Sequence, residues 1–241
     1  MNINFKLFSE QEIIDTYEKH VAKDKSYYTK ANDEYKKLST EDKEKLFSTD
    51  FPRIASLFDY KEWIEKYNLE SPELLLSTFR GDLELQYINP NNIIYFEYRG
   101  NGDGDLHTME LSKKDFDFII FNQTLEHLYN PFLCMKNLYD HLKPGGYLYT
   151  TVPTINIPHM VPFHFWGMTP IGLCMLGKSV GFNVCECGFW GNYEYLGHIF
   201  TYNEWPNNDG VFDDDGNIKT TDLCQSQTWV LLQKPENYKK D

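Results

Sequence analysis

Up to about residue 70, apolar positions recur at helical spacing on a highly charged background. "SEQEIIDTYEKHVAKDKSYYTKANDEYKK" places Ser9 three residues ahead of Glu12, the pattern of a reciprocal helix N-cap. "STEDKEKLF" repeats it with Ser39 and Asp42, and "FPRIASLFDYKEWIEKYNL" carries an apolar stripe through Ile54, Leu57, Phe58, Trp63, Ile64 and Tyr67. After Ser71-Pro72 the texture changes to short apolar runs, "ELLLSTF", "NNIIYFEY" and "DFDFIIF", each of strand length. "TLEHLYNPFLCMKNLYDHL" predicts a helix adjusted at Asn130-Pro131 and stopped by "KPGG". "YLYTTVP" predicts a strand, and "TPIGLCMLGKSVGF" a helix with Thr169 as N-cap and Pro170 at its first position. "NVCECGFWGN" and "SQTWVLLQK" are further strands. Strands alternating with helices predict an α/β fold: a Rossmann-like, largely parallel sheet flanked by helices. It spans residues 73–241, behind an N-terminal helical extension over 1–72.

Composition narrows the function classes. Over 241 residues, 41% hydrophobic and 16% aromatic positions describe a chain that folds around a core. A formal net charge of −13 argues against a nucleic-acid partner. No apolar run reaches the length of a membrane span, and the first residues lack the core of a signal peptide. Five cysteines without a Cys-x-x-Cys suggest a reduced, cytoplasmic chain. "FDDDGN" reads as a turn rather than a calcium loop. The sequence does not speak to oligomeric state.

The candidate chemistry gathers at strand ends, where open α/β sheets bind ligands. In "DFDFIIFNQTLEHL" an apolar strand delivers Asn122, Gln123, Glu126 and His127 to the start of the following helix. His159 and His164 lie in "PTINIPHMVPFHFWGMTP", beyond the next strand, among aromatic residues suited to the face of a sugar or to plugging the core. No His-x-x-x-His or comparable constellation occurs, so no metal is expected from spacing.

These segments resemble the class I S-adenosylmethionine (SAM)-dependent methyltransferases, in particular the broad type 11 group, which includes members associated with glycan biosynthesis. The resemblance runs from about residue 93 to 190 through "GDLHTMELSKKDFDFIIFNQTLEHL", "NLYDHLKPGGYLYTTVP" and "HFWGMTPIGLCMLGKSVGFNVCECGFWGN". It implies SAM as cofactor and a small-molecule or glycan acceptor. Glu97 would accept from the ribose hydroxyls, and Asp105 and Leu106 would lie along the adenine. Asn122 and Gln123 would border the cofactor, with His127, His159 and His164 as candidate general bases for an oxygen acceptor. The departure is at the first strand. The family carries a Gly-x-Gly-x-Gly loop there, whereas this chain reads "LLLSTFRGDLEL", with Ser77 and Phe79 at two of the positions and Gly81 at the third. Either Ser77 and Arg80 replace the lost contacts, Arg80 by holding the methionine carboxylate, or the fold serves as a non-catalytic scaffold. A dinucleotide-dependent enzyme would need the same missing glycines.

Overall fold

A computed structural model describes residues 5–46, 51–97, 104–206 and 224–236. Six strands form one sheet in the order β2-β1-β3-β4-β6-β5: β1 Leu74–Ser77, β2 Asn92–Tyr95, β3 Phe116–Asn122, β4 Leu142–Pro153, β5 Asn183–Trp190 and β6 Gln227–Gln233. The first four strands in that order pair in parallel, and β6 runs antiparallel to both β4 and β5. The helices are α1 Glu10–Thr16, α2 Lys25–Lys37, α3 Thr40–Lys45, α4 Phe51–Lys66, α5 Pro131–His141, α6 Pro170–Val180 and α7 Tyr193–Tyr202. This is the Rossmann-like, helix-flanked sheet that the pattern predicts, with helices preceding it.

β3 is apolar throughout because both its faces are covered. Ile119 and Phe121 pack with Met135 and Leu138 of α5 and with Leu173 and Leu176 of α6. Phe118 and Ile120 pack on the other side with Tyr60 and Trp63 of α4 and with Tyr195 of α7. Phe116 joins the α5 side out of alternation, because the pairing with β4 slips between Phe116 and Phe118. The slip takes up Lys143-Pro144-Gly145-Gly146, which lies inside β4 rather than ahead of it. Gly145 has φ +78°, a conformation that favours glycine.

The predicted caps form. Ser9 and Glu12 make the reciprocal box, and Ser39 accepts from the Asp42 N–H. Thr169 accepts from the Gly172 N–H, Pro170 opens α6, and Gly181 closes it at φ +111°. Thr169→Ala is expected to lower stability by about 1 kcal/mol, measured as a urea midpoint shift, with Thr169→Ser near wild type. One element differs from expectation. The helix predicted to start at Thr124 starts at Pro131, capped by Asn130; ahead of it lies a single 3-10 turn, Leu125–His127. Asn130-Pro131 is thus a start, not a kink, and Asn122 and Gln123 do not sit at a helix N-terminus. α7 was not anticipated, and "FDDDGN" lies outside the described residues.

Candidate functional site

The loop after β1 and the end of β2 meet. Both Glu97 oxygens go to Arg80: Oε1 accepts from its backbone N–H at 2.6 Å, and Oε2 from Nε at 3.2 Å. The Arg80 guanidinium also lies 3.9 Å from the centroid of the Tyr95 ring. The loop uses up its own donors. The Thr78 N–H extends the ladder to the Ile120 carbonyl, and the Phe79 N–H goes to the Ser77 hydroxyl, which itself donates to the Phe79 carbonyl. The Phe79 ring folds back on Gly81, so that a Cβ on that glycine would stand 2.5 Å from it.

Behind the loop is a buried acidic cluster. Asp82 and Glu84 face the Arg53 guanidinium of α4 at 3.9 and 3.6 Å. Burial, and then the charge of Glu84, push the Asp82 carboxyl up to about 8 against the pull of Arg53. Glu84 is raised by burial, again opposed by Arg53. Asn122 lies beside both acids. Its amide steadies both carboxylates, while the Thr78 and Tyr60 hydroxyls have no hydrogen-bond partner among the described residues. Buried polar groups are normally satisfied, so orphans clustered at strand ends mark where water or a ligand completes the bonding.

Gln123 has φ +46°, and its side chain donates to the Thr151 hydroxyl. With Arg53, Asn156, His159, Trp205 and Gln227 it lines a cavity of about 250 Å³ beyond the ends of β3 and β4. Asp105 caps the turn Leu106–Thr108 and accepts from the backbone and ring of His107. Burial opposes its charge, but those two hydrogen bonds hold it below the usual carboxylate range. Leu106 is buried, and its carbonyl accepts from Asn137.

The three candidate bases converge. His127 ends the 3-10 turn after β3, while His159 and His164 stand on the loop after β4. One nitrogen from each ring lies within 4.8 Å of the others. His127 Nδ1 bonds the Phe163 carbonyl at 2.6 Å. His159 Nδ1 faces the Ile157 carbonyl at 3.0 Å and His164 Nδ1 at 3.1 Å. Burial depresses His127 and His164, and the neighbouring rings add to it, so both stay neutral near pH 7. Beside them Glu126 is fully buried and burial pushes it up to about 8; neither oxygen has a hydrogen-bond partner among the described residues. Sequence reasoning missed Arg53, Asp82 and Glu84. The one signal was "RGDLEL", two acids closely following the expected glycine loop.

A methyltransferase domain model matches residues 45–176, more than half of the chain, and the chain therefore belongs to that family, the SAM-dependent methyltransferases of class I fold. Among curated protein sequences, none matches it. Similar solved structures include the cyclase SpnF, 14% identical, covering 78% of this chain and 83% of that one at a TM-score of 0.49. Another is the N-methyltransferase NodS of Bradyrhizobium japonicum with S-adenosylhomocysteine, 12% identical, covering 87% and 99% at a TM-score of 0.47.

The family's cofactor is SAM, and the chemistry past the ends of β1 and β2 suits a ribose and a carboxylate. An acid stands just past the end of β2, directly against the loop after β1, with orphaned polar atoms behind. Arg80 and Phe79 there reach solvent, the Arg80 side chain 58% exposed and Phe79 53%, while the Glu97 side chain is 16% exposed; ligand hydroxyls would have to replace Arg80 on Glu97. Among the described residues, no helix is long and apolar enough to cross a membrane.

Proposed function

We propose that the chain transfers a methyl group to an oxygen atom of a small or sugar-containing acceptor. The observation that carries this reading is the cavity beyond β3 and β4, which neighbours the cofactor crevice and combines hydrogen-bonding groups with an aromatic wall. Gln123 and Asn156 offer amides to hydroxyls, and Trp205 offers a ring face to a sugar. His159 is the member of the histidine cluster that lines this cavity, and an imidazole there can take the proton of an acceptor hydroxyl. SAM, when bound, supplies an already activated methyl group, so the protein's work is alignment and proton removal. Glu97 would hold the ribose hydroxyls once released from Arg80, and Arg80 would be free for the methionine carboxylate. The unpaired cysteines suit a cytoplasmic setting, and the acceptor class suits glycan biosynthesis.

The test is transfer of labelled methyl from SAM to a panel of hydroxyl compounds, free and glycosylated. O-methyl products are expected, with His159→Ala lowering kcat by roughly 10²–10⁴-fold while SAM binding holds. Products methylated only on nitrogen or sulfur would sink the oxygen assignment. A second reading is a non-catalytic scaffold on the same fold. It is favoured by the self-satisfied loop of Ser77, Phe79 and Arg80, and absence of SAM binding at millimolar ligand would establish it.

A further inference from the structure

The histidine cluster has the makings of more than a base. Each ring keeps one nitrogen for a ligand. The bond from His127 Nδ1 to the Phe163 carbonyl puts the ring proton on Nδ1 and leaves Nε2 its lone pair. A carbonyl partner on the far nitrogen is the usual support of a metal-bound histidine, fixing both tautomer and ring direction. His159 Nδ1 is held in the same way by the Ile157 carbonyl at 3.0 Å and reaches His164 Nδ1 at 3.1 Å, so on His159 too Nε2 keeps its lone pair, and one nitrogen of each ring lies within 4.8 Å of the others. The three rings are mutually near-perpendicular, at 84–89°, with centroids 4.5–5.8 Å apart.

A second observation points the same way. His127 Nε2, the nitrogen left open, lies 3.8 Å from Glu126 Oε1. Glu126 is fully buried and both its oxygens lack hydrogen-bond partners among the described residues. Buried carboxyl oxygens without partners are met either by a proton or by a cation, and the ring nitrogens beside Glu126 supply the other ligands a cation needs. The scaffold around the cluster is also fixed. The loop after β4 is tied to the turn after β3 by the Phe165 N–H to the Glu126 carbonyl at 2.7 Å and by Trp166 Nε1 to the Leu128 carbonyl at 2.9 Å.

We propose that His127, His159 and His164, with Glu126 beside them, bind one divalent transition-metal ion of the zinc type. Imidazole donors suit zinc, cobalt and nickel, whereas magnesium and calcium require oxygen ligands. The ion clamps the loop after β4 to the turn after β3 and, through His159, stands at the rim of the cavity. Its bearing on catalysis rests on the proposed methyl transfer: with the ion bound His159 ligates it instead of taking the proton, and an acceptor hydroxyl on the ion loses its proton to solvent more readily. Its existence does not rest on that reading.

The experiment is calorimetric titration of tag-free, chelator-treated protein with Zn²⁺, without SAM or acceptor, and absorption spectroscopy with Co²⁺. One ion per chain is expected, with the intense visible bands of four-coordinate cobalt. His164 stands on a loop, so His164→Ala leaves the sheet intact. It is expected to weaken binding by more than the roughly 10–100-fold that follows loss of a supporting partner alone. His127→Ala should do the same, and Mg²⁺ should give no saturable heat. Absence of stoichiometric Zn²⁺ uptake, or uptake unchanged in both variants, overturns the site. Methyl transfer by a protein that takes up no zinc would overturn this inference and leave the proposed function standing; zinc uptake without transfer would do the reverse.

Discussion

Arg53→Leu is expected to cost about 3–5 kcal/mol of stability above about pH 8, and distinctly less near pH 5. The guanidinium is the cation facing both Asp82 and Glu84, whose carboxyls are buried. Removing it leaves two acids out of water without compensation, a far larger penalty than the net worth of the pairs themselves. The pH dependence follows from the direction of the shifts. Both acids are raised in the folded protein, Asp82 to about 8. Their favourable contribution is complete below the unfolded value near 4 and declines as pH rises through the folded value. Without Arg53 both folded values move further up, so the variant loses most where wild type has begun to ionise these groups. Near pH 5 Asp82 remains protonated in either protein, and Glu84, raised by burial as well, is less ionised than at pH 8. Urea unfolding at the two pH values reads the difference; an equal loss at both, or one below about 1 kcal/mol, would contradict the cluster's electrostatics.

Glu97→Ala carries the second large effect. If Glu97 holds the ribose hydroxyls, its removal is expected to weaken SAM by about 1–3 kcal/mol, or roughly 5–150-fold by calorimetry. Release of Arg80, whose backbone N–H and Nε both lie on Glu97, offsets a little of that. Phe79→Gly is the companion variant. The ring resting on Gly81 is about half exposed, so clearing it is expected to tighten SAM by only about fivefold, in line with partial apolar burial near 1 kcal/mol. Binding that is absent in wild type and appears in Phe79→Gly would overturn the enzyme reading, since the native side chain would then be a plug. Unchanged affinity in Glu97→Ala would displace Glu97 from the site.

Local chemistry was legible where a residue acts on its neighbours. Ser9, Ser39 and Thr169 cap helices through backbone groups three residues on, and sequence displays that spacing directly. The continuous apolar run of β3 announced a strand covered on both faces. The start of α5 was misread because the apolar spacing of "TLEHLYNP" continues the helix beyond, while Pro131 and the Asn130 side chain set the actual start. The histidine cluster was hidden for a different reason. His127 is brought to His159 and His164 by parallel pairing of β3 with β4, and the separation in sequence carries no sign of it. The partnership of Arg53 with Asp82 and Glu84 likewise depends on how α4 lies across the sheet, which no local rule supplies. Of the residues named from resemblance, Ser77 ends β1, Glu97 lies two residues past β2 and Asn122 ends β3, whereas Asp105 and Leu106 stand at a separate 3-10 turn. Their side-chain partners, Arg80 for Glu97 and His107 for Asp105, were set by packing.

Asp59 of α4 is almost completely buried, and its donors come from separated parts of the chain. The Tyr27 hydroxyl and Trp229 Nε1 reach Oδ2 at 3.1 and 2.9 Å, and Lys30 Nζ reaches Oδ1 at 3.1 Å. Tyr27 in turn accepts from the Phe189 N–H of β5. Gly188 lets this knot close, since a Cβ there would meet Trp229 and Asp59 at 2.1 and 2.4 Å. Two of the carboxylate's three donors thus belong to α2. A chain shortened to begin after α2 would leave Asp59 with Trp229 alone of these three donors, and is expected to unfold at lower urea than the full chain. α2 and β6 are therefore expected to open together, and a ligand that binds the native sheet to slow proteolysis of α2 as well.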